Sequence, residues 1–355
     1  MRGRPRRGTG RSDAVVLAND FYENKRFQGT FQRNNRAIVK APWTGRLLLA
    51  VMGVLMALAM AEAALRVGGF HFDLRPALHF GWPDATALQD AYASDPDLVW
   101  VTRDYRERLR EARRMRPAVV FMGDSCTEFG SYPAKTLAAL QAAGSPLATG
   151  IKLGVGGWST EQGLEQLRRD VIPLHPRVVT LYYGWNDHWL AMGLTDPEIA
   201  RADRMMSLAH VSRVAQLWLK VETIIAARRV PPPNRVPLPR YEENLRSLVT
   251  EARAASIVPI LITAPSNHVP GREPAYLAKR HVRALAEVVP LHTAYMEATR
   301  RIARETSAAL CDAAAAFAAL PQPHDSYFQK DGIHLTDDGD AVMARELSAC
   351  LARVH

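Results

Sequence analysis

The 355-residue chain is 48% hydrophobic and 23% charged, enough apolar material for a sizeable core, which excludes a globally disordered protein. Its formal net charge of +9 looks at first like a nucleic-acid footprint. Between Arg2 and Arg46, however, eleven Lys/Arg face three Asp/Glu, so the excess belongs to an N-terminal segment and the remainder is close to neutral; no nucleic-acid partner is expected.

Residues 1–46 carry no sustained hydrophobic period and read as a disordered basic tail. The tail runs into LLLAVMGVLMALAMAEAAL, Leu47 to Leu65, nineteen residues whose only charge is Glu62. As a helix this stretch would be roughly 28 Å long, close to the hydrocarbon thickness of a bilayer. It is apolar all round, which suits lipid better than a domain surface. The flanking Lys/Arg place the tail in the cytoplasm and the bulk of the chain outside, as a single-pass protein of the inner (plasma) membrane with a periplasmic domain. The Ala-x-Ala pattern before Glu62 also fits a cleaved signal peptide. Some 46 preceding residues are long for one, which favours an uncleaved anchor.

Residues 66–115 read as a connector, loop-like at first and then helical through DYRERLREARRM. From 116 to 355 short apolar runs rich in β-branched residues alternate with helical patterns. The runs are AVVFMGDS (118–125), GIKLGVGG (150–157), VVTLYYGWND (178–187), VPILITAP (258–265) and AALCDAA (308–314). Between them lie the helical patterns YPAKTLAALQAAG, TEQGLEQLRRDVIP, YEENLRSLVTEARAAS and HTAYMEATRRIARETS. This alternation predicts βαβ units and a three-layer α/β/α sandwich around a parallel sheet. An insertion at about 192–240 interrupts the rhythm with a helix from Met205 to Ala227, followed by the Pro-rich VPPPNRVPLP. Val211, Val214, Trp218, Val221 and Ile225 form one apolar stripe on that helix. It reads as a core-facing cover for the sheet, or alternatively as a lid or membrane-facing element.

Ligands of open parallel sheets bind beyond the carboxyl ends of the strands. There the runs place Gly123-Asp124-Ser125, then GVGGWST from Gly154, then Asn186 in GWND; Asp331 and His334 follow near the C-terminus. A serine needs an adjacent base, which His334 can supply, with Asp331 three residues earlier fixing its tautomer. A tetrahedral intermediate needs aligned donors, and the N–H groups of Ser125 and Gly154 and the Asn186 amide are available. The lack of a Cβ at Gly154 would let the backbone approach a substrate closely. Lower-ranked candidates are Asp187 and His188 (pocket lining or a helix cap), Asn267 and His268 after the fourth run, and Trp158 (stacking on a sugar or packing under its loop). Cys126 is not expected to replace Ser125, since a thiol needs an electropositive setting to ionise. Cys311 and Cys350 can pair only if the fold brings them together.

This ordered set resembles the SGNH hydrolases, or GDSL esterases/lipases, over roughly residues 116–352. The Ser, Gly, Asn and His of that family's four blocks map to Ser125, Gly154, Asn186 and His334. The resemblance implies a flavodoxin-like sandwich with a five-stranded parallel sheet, a Ser125–His334–Asp331 triad, and an oxyanion hole from Ser125, Gly154 and Asn186. It implies no metal and no other cofactor. Cys126 stands where the family name has Leu. The expected activity is a membrane-anchored serine esterase acting on a small acyl ester or an acylated carbohydrate. A polysaccharide O-acyltransferase using the same site and a non-catalytic surface module are the alternatives; the oligomeric state is left open.

Overall fold

The β-branched runs form the strands expected of them. The computed structural model describes residues 43–72, 91–191, 193–209 and 211–354; nearly all of the basic tail falls outside these. A first unit ends at Val54, and a second comprises Leu55–His355. Helix α1 (Trp43–Val67) has 25 residues, none of them buried. It is the one helix among the described residues long and apolar enough to cross a membrane.

Strands β1 (Tyr92–Asp95) and β2 (Val99–Thr102) form an antiparallel hairpin, followed by α2 (Tyr105–Met115). These elements are the described part of the expected 66–115 connector, whose helical stretch is α2; residues 73–90 lie outside the described residues. Tyr105 and Trp100 are buried. The Tyr105 hydroxyl donates to Asp170 at 2.9 Å, and the Trp100 indole donates to the Gly156 carbonyl at 3.0 Å. Aromatic residues with a polar tip anchor this segment to the core, a tertiary effect without a local signature.

The main sheet contains β3 (Val119–Gly123), β4 (Gly150–Lys152), β5 (Val178–Tyr182), β6 (Val258–Ile262) and β7 (Ala309–Cys311). They are parallel throughout, in the order β4-β3-β5-β6-β7. All five residues of both β3 and β5 are buried, as a sheet covered on two faces requires. The strand order reverses at β3, which puts the switch point between β3 and β5.

The helices follow in chain order: α3 (Ser125–Phe129), α4 (Tyr132–Ala142), α5 (Thr160–Gln166), α6 (Trp185–His188), α7 (Asp196–Ala209), α8 (Arg213–Ala227), α9 (Leu238–Ala254), α10 (Leu277–Arg280), α11 (Val288–Thr306), α12 (Ala313–Ala318) and α13 (Asp337–Ala352). The helix expected over 205–227 is thus two, with Ser212 capping α8 by accepting from Ala215 N at 3.2 Å. Its stripe does not cover the sheet. Trp218 and Ile225 are 59% and 60% exposed, whereas Gln216, Leu219 and Ala226 on the other side are buried.

Two ties fix α13, which directly follows the Asp331–His334 loop. Asp340 accepts from the backbone N–H and hydroxyl of Ser131 at 2.7 and 2.9 Å. Cys350 is disulfide-bonded to Cys311 of β7, with Cα atoms 5.7 Å apart.

Candidate active site

The chain leaves β3 through Asp124, which caps α3: its Oδ1 accepts from Cys126 N at 2.9 Å. Ser125 therefore stands as the first residue of a short helix at the carboxyl end of a central strand. His334 Nε2 lies 2.9 Å from Ser125 Oγ, and His334 Nδ1 lies 2.5 Å from Asp331 Oδ2. With Nδ1–H donating to the carboxylate, Nε2 presents its lone pair to the serine hydroxyl. Asp331 Oδ1 is itself held by the N–H groups of Ile333 and His334, at 2.9 and 3.0 Å.

The electrostatics follow from these bonds. Burial opposes ionisation of Asp331, but the hydrogen bonds from the His334 ring and from the Ile333 amide outweigh it and hold the carboxyl below its usual range. Burial likewise opposes the imidazolium of His334, and the bond to Asp331 with the charges of Asp331 and Asp124 raises it nonetheless. Cys126 is buried, and desolvation pushes its thiol well above the ordinary value, followed by the charge of Asp124. Its thiol is no competitor for Ser125.

Asn186 opens α6 after β5, and its Nδ2 donates to Asp124 Oδ2 at 3.1 Å. That bond uses one of the two amide protons. Gly154 lies in the loop after β4, where Leu153 and Val155 donate to the Phe121 and Gly123 carbonyls. A Cβ at residue 154 would sit 2.6 Å from Thr127 Cβ and 3.1 Å from Glu128 N, so the missing side chain admits α3.

The lower-ranked residues divide into two groups. Trp158, Asp187 and His188 are fully buried. The Trp158 indole donates to the Trp100 carbonyl at 2.9 Å, beneath its loop. Asp187 Oδ1 accepts from the Thr160 N–H and hydroxyl at 2.9 and 2.5 Å, steadying the start of α5. His188 Nε2 meets His292 Nδ1 at 3.2 Å, while His292 Nε2 meets the Ala264 carbonyl at 2.9 Å. Donation to that carbonyl fixes both rings as neutral tautomers, and burial holds His292 down at about 4. All three pack in the core, each with at least one polar atom bonded there.

Asn267 and His268 are half-buried next to the Asp331–His334 loop. His268 Nε2 lies 2.8 Å from the Asp331 carbonyl, and Asn267 N donates to the Gly332 carbonyl at 3.0 Å. Both brace the loop that carries Asp331 and His334.

Sequence reasoning passed over Asp124, although it is the middle residue of Gly-Asp-Ser. It also passed over Phe129, exposed and with its ring 5.9 Å from that of His334. Glu128 was missed too; it accepts from Gly156 N at 2.5 Å and from the Tyr92 hydroxyl at 2.9 Å. No local pattern marks Phe129 or Glu128.

Comparison with known proteins bears on the same region. Among solved structures, a Parabacteroides merdae protein described as a GDSL-like lipase is 17% identical, with a TM-score of 0.46, covering 66% of this chain and 95% of that one. An acetylxylan esterase from Geobacillus stearothermophilus is 22% identical, with a TM-score of 0.44, covering 66% and 93%. A lipase/acylhydrolase from Enterococcus faecalis is 18% identical, with a TM-score of 0.44, covering 66% and 96%. No curated protein matches the chain. The family model for the GDSL-like lipase/acylhydrolase family matches residues 121–342, which include most of the main sheet, Ser125, Asn186 and the Asp331–His334 loop, and the chain belongs to that family of serine hydrolases acting on esters.

Proposed function

We infer that the protein is a membrane-anchored, extracytoplasmic serine esterase that works through an acyl-enzyme. The observation that carries this reading is the unbroken line of hydrogen bonds from Ser125 Oγ through His334 to Asp331. His334 Nε2 takes the hydroxyl proton as Ser125 Oγ attacks the ester carbonyl carbon. The oxyanion that forms is met by the N–H groups of Ser125 and Gly154 and the Asn186 amide. His334 returns the proton to the departing alcohol oxygen, and water, activated by the same base, releases the acid. Asp331 holds the ring and stabilises its positive charge throughout.

Residues 1–46 form the cytoplasmic tail in this reading, 47–65 the span, and the remainder the outer domain. The apolar α1 supports the anchor. The Cys311–Cys350 bond supports an oxidising compartment. That location makes acylated surface carbohydrate, O-acetyl esters included, the substrate class.

The test is covalent labelling of the full chain by an organophosphonate probe, with hydrolysis of chromogenic esters from acetyl to octanoyl. Labelling should require Ser125. Equal labelling after Ser125→Ala, or none of the wild type, would sink the esterase reading.

A further inference from the structure

The second helix of the insertion turns its apolar side outward. Leu217, Trp218, Val221, Ile224 and Ile225 follow each other at steps of one and three along α8, and all are exposed. Val211, just before the helix, is 68% exposed. A contiguous apolar stripe of this kind on a folded domain marks an interaction surface.

Two further features say what covers it. The start of α8 is bonded to the C-terminal part of α1. Glu62 accepts from the Ser212 hydroxyl and from the N–H groups of Arg213 and Val214, at 3.1, 3.0 and 3.0 Å. Arg66 pairs with Glu62 at 2.7 Å and donates to the Val211 carbonyl at 2.5 Å. The stripe therefore begins where the apolar run of α1 gives way to charge. The second feature is composition. Arg213, Lys220, Arg228 and Arg229 lie in this segment with a single acid, Glu222; Arg229 is paired with Glu198 at 2.6 Å, and Lys220 stands over the Phe70 ring at 5.4 Å. Apolar residues with a tryptophan, edged by cations, are what a helix lying in the headgroup region of an anionic bilayer presents.

We propose that the outward face of α8 is a lipid-docking surface, lying in the headgroup–acyl boundary of the membrane that α1 enters. The proposal rests on the reading of α1 as a span. By itself α1 would leave the outer domain free to swing; a second contact at α8, tied to the first through Glu62, holds the domain against the bilayer at one inclination. A buried depth of about 5–10 Å is expected for such a helix.

The experiment uses the full chain in bilayer discs of phosphatidylethanolamine and phosphatidylglycerol, with and without bromine on the acyl chains. A fluorophore is placed on one introduced thiol at a time. Cys126 is buried and Cys311 and Cys350 are paired, so labelling is directed to the new site. The positions are Trp218→Cys and Ile225→Cys on the stripe, Met56→Cys within α1, and Arg110→Cys on the exposed side of α2. Retained esterase activity in each variant shows that it is folded. Brominated lipid should lower the fluorescence at 218, 225 and 56 and leave 110 unchanged. If 56 is quenched while 218 and 225 behave like 110, the docking surface is overturned and the span stands. A second copy of the chain covering the stripe would give that same result. If none is quenched, both readings fall. Quenching at 218 and 225 without 56 overturns the proposal as stated, since α8 would then meet lipid without α1 entering the bilayer.

Discussion

Asn186 Nδ2 donates to the buried carboxylate of Asp124 across 3.1 Å, tying the loop after β5 to the cap of α3. The residue just before the nucleophile thereby orients the side-chain donor proposed for the oxyanion. Asp124 accepts from both Cys126 N and Asn186, and an asparagine oxygen can serve only one of them well. Asp124→Asn should therefore turn the Asn186 amide and lower kcat by about 10²-fold, with KM changed little, because the lost donor acts in the transition state. Steady-state kinetics on a chromogenic ester checks this, and an unchanged kcat would show that Asn186 is oriented by something else.

The pH dependence follows from His334. A general base must be neutral, and Asp331 raises the imidazole above its ordinary 6.5. Thus kcat/KM should climb with pH through an inflection above 6.5. Asp331→Asn removes the bond and the charge and leaves burial, so the inflection should move down while kcat falls by about 10²- to 10⁴-fold. A pH–rate profile with the same inflection in that variant would contradict the assignment. For stability the signs are opposite for the two partners. The His334 contribution is complete below its unfolded value and is lost as pH rises through the raised one. That of Asp331, held below 3.8, is present above 3.8 and is lost as pH falls through the lowered value.

Gly154 separates two explanations of one glycine. If it serves substrate approach, Gly154→Ala raises KM and leaves the fold alone. The contact with Thr127 predicts instead that α3 is pushed outward, destabilising the protein by about 1–3 kcal/mol and misplacing Ser125. Adding Thr127→Gly should recover part of the lost activity, since the obstructing side chain is gone. Thermal unfolding and the rate of probe labelling read the two effects separately.

The disulfide closes a loop between residues 39 apart and pins α13, whose start carries on from His334. Cys311→Ser with Cys350→Ser should cost about 2–4 kcal/mol in a denaturant titration. Wild type kept in reductant should behave like the double variant, and equal stability of oxidised and reduced protein would argue against a structural role.

Much of the fold and the site was legible in the chain because both depend on local order. β-branched runs alternating with helical patterns dictated a parallel sheet; Ser125 and Asn186 end such runs and Asp331 and His334 stand three residues apart, so all four could be named before any distance was known. The three-residue spacing of Asp331 and His334 is short enough for the backbone alone to bring their side chains together. The tertiary structure decided what depends on contacts between distant segments. It placed Trp158, Asp187 and His188 inside the core, where their polar ends meet Trp100, Thr160 and His292. Periodicity found the stripe from Val211 to Ile225 but not the direction it faces, since a helix pattern fixes which residues share a side and its neighbours decide which side is covered. The pairing of Cys311 with Cys350 and the tie between Asp124 and Asn186 likewise join residues far apart in the chain, and only the assembled sheet brings them within reach.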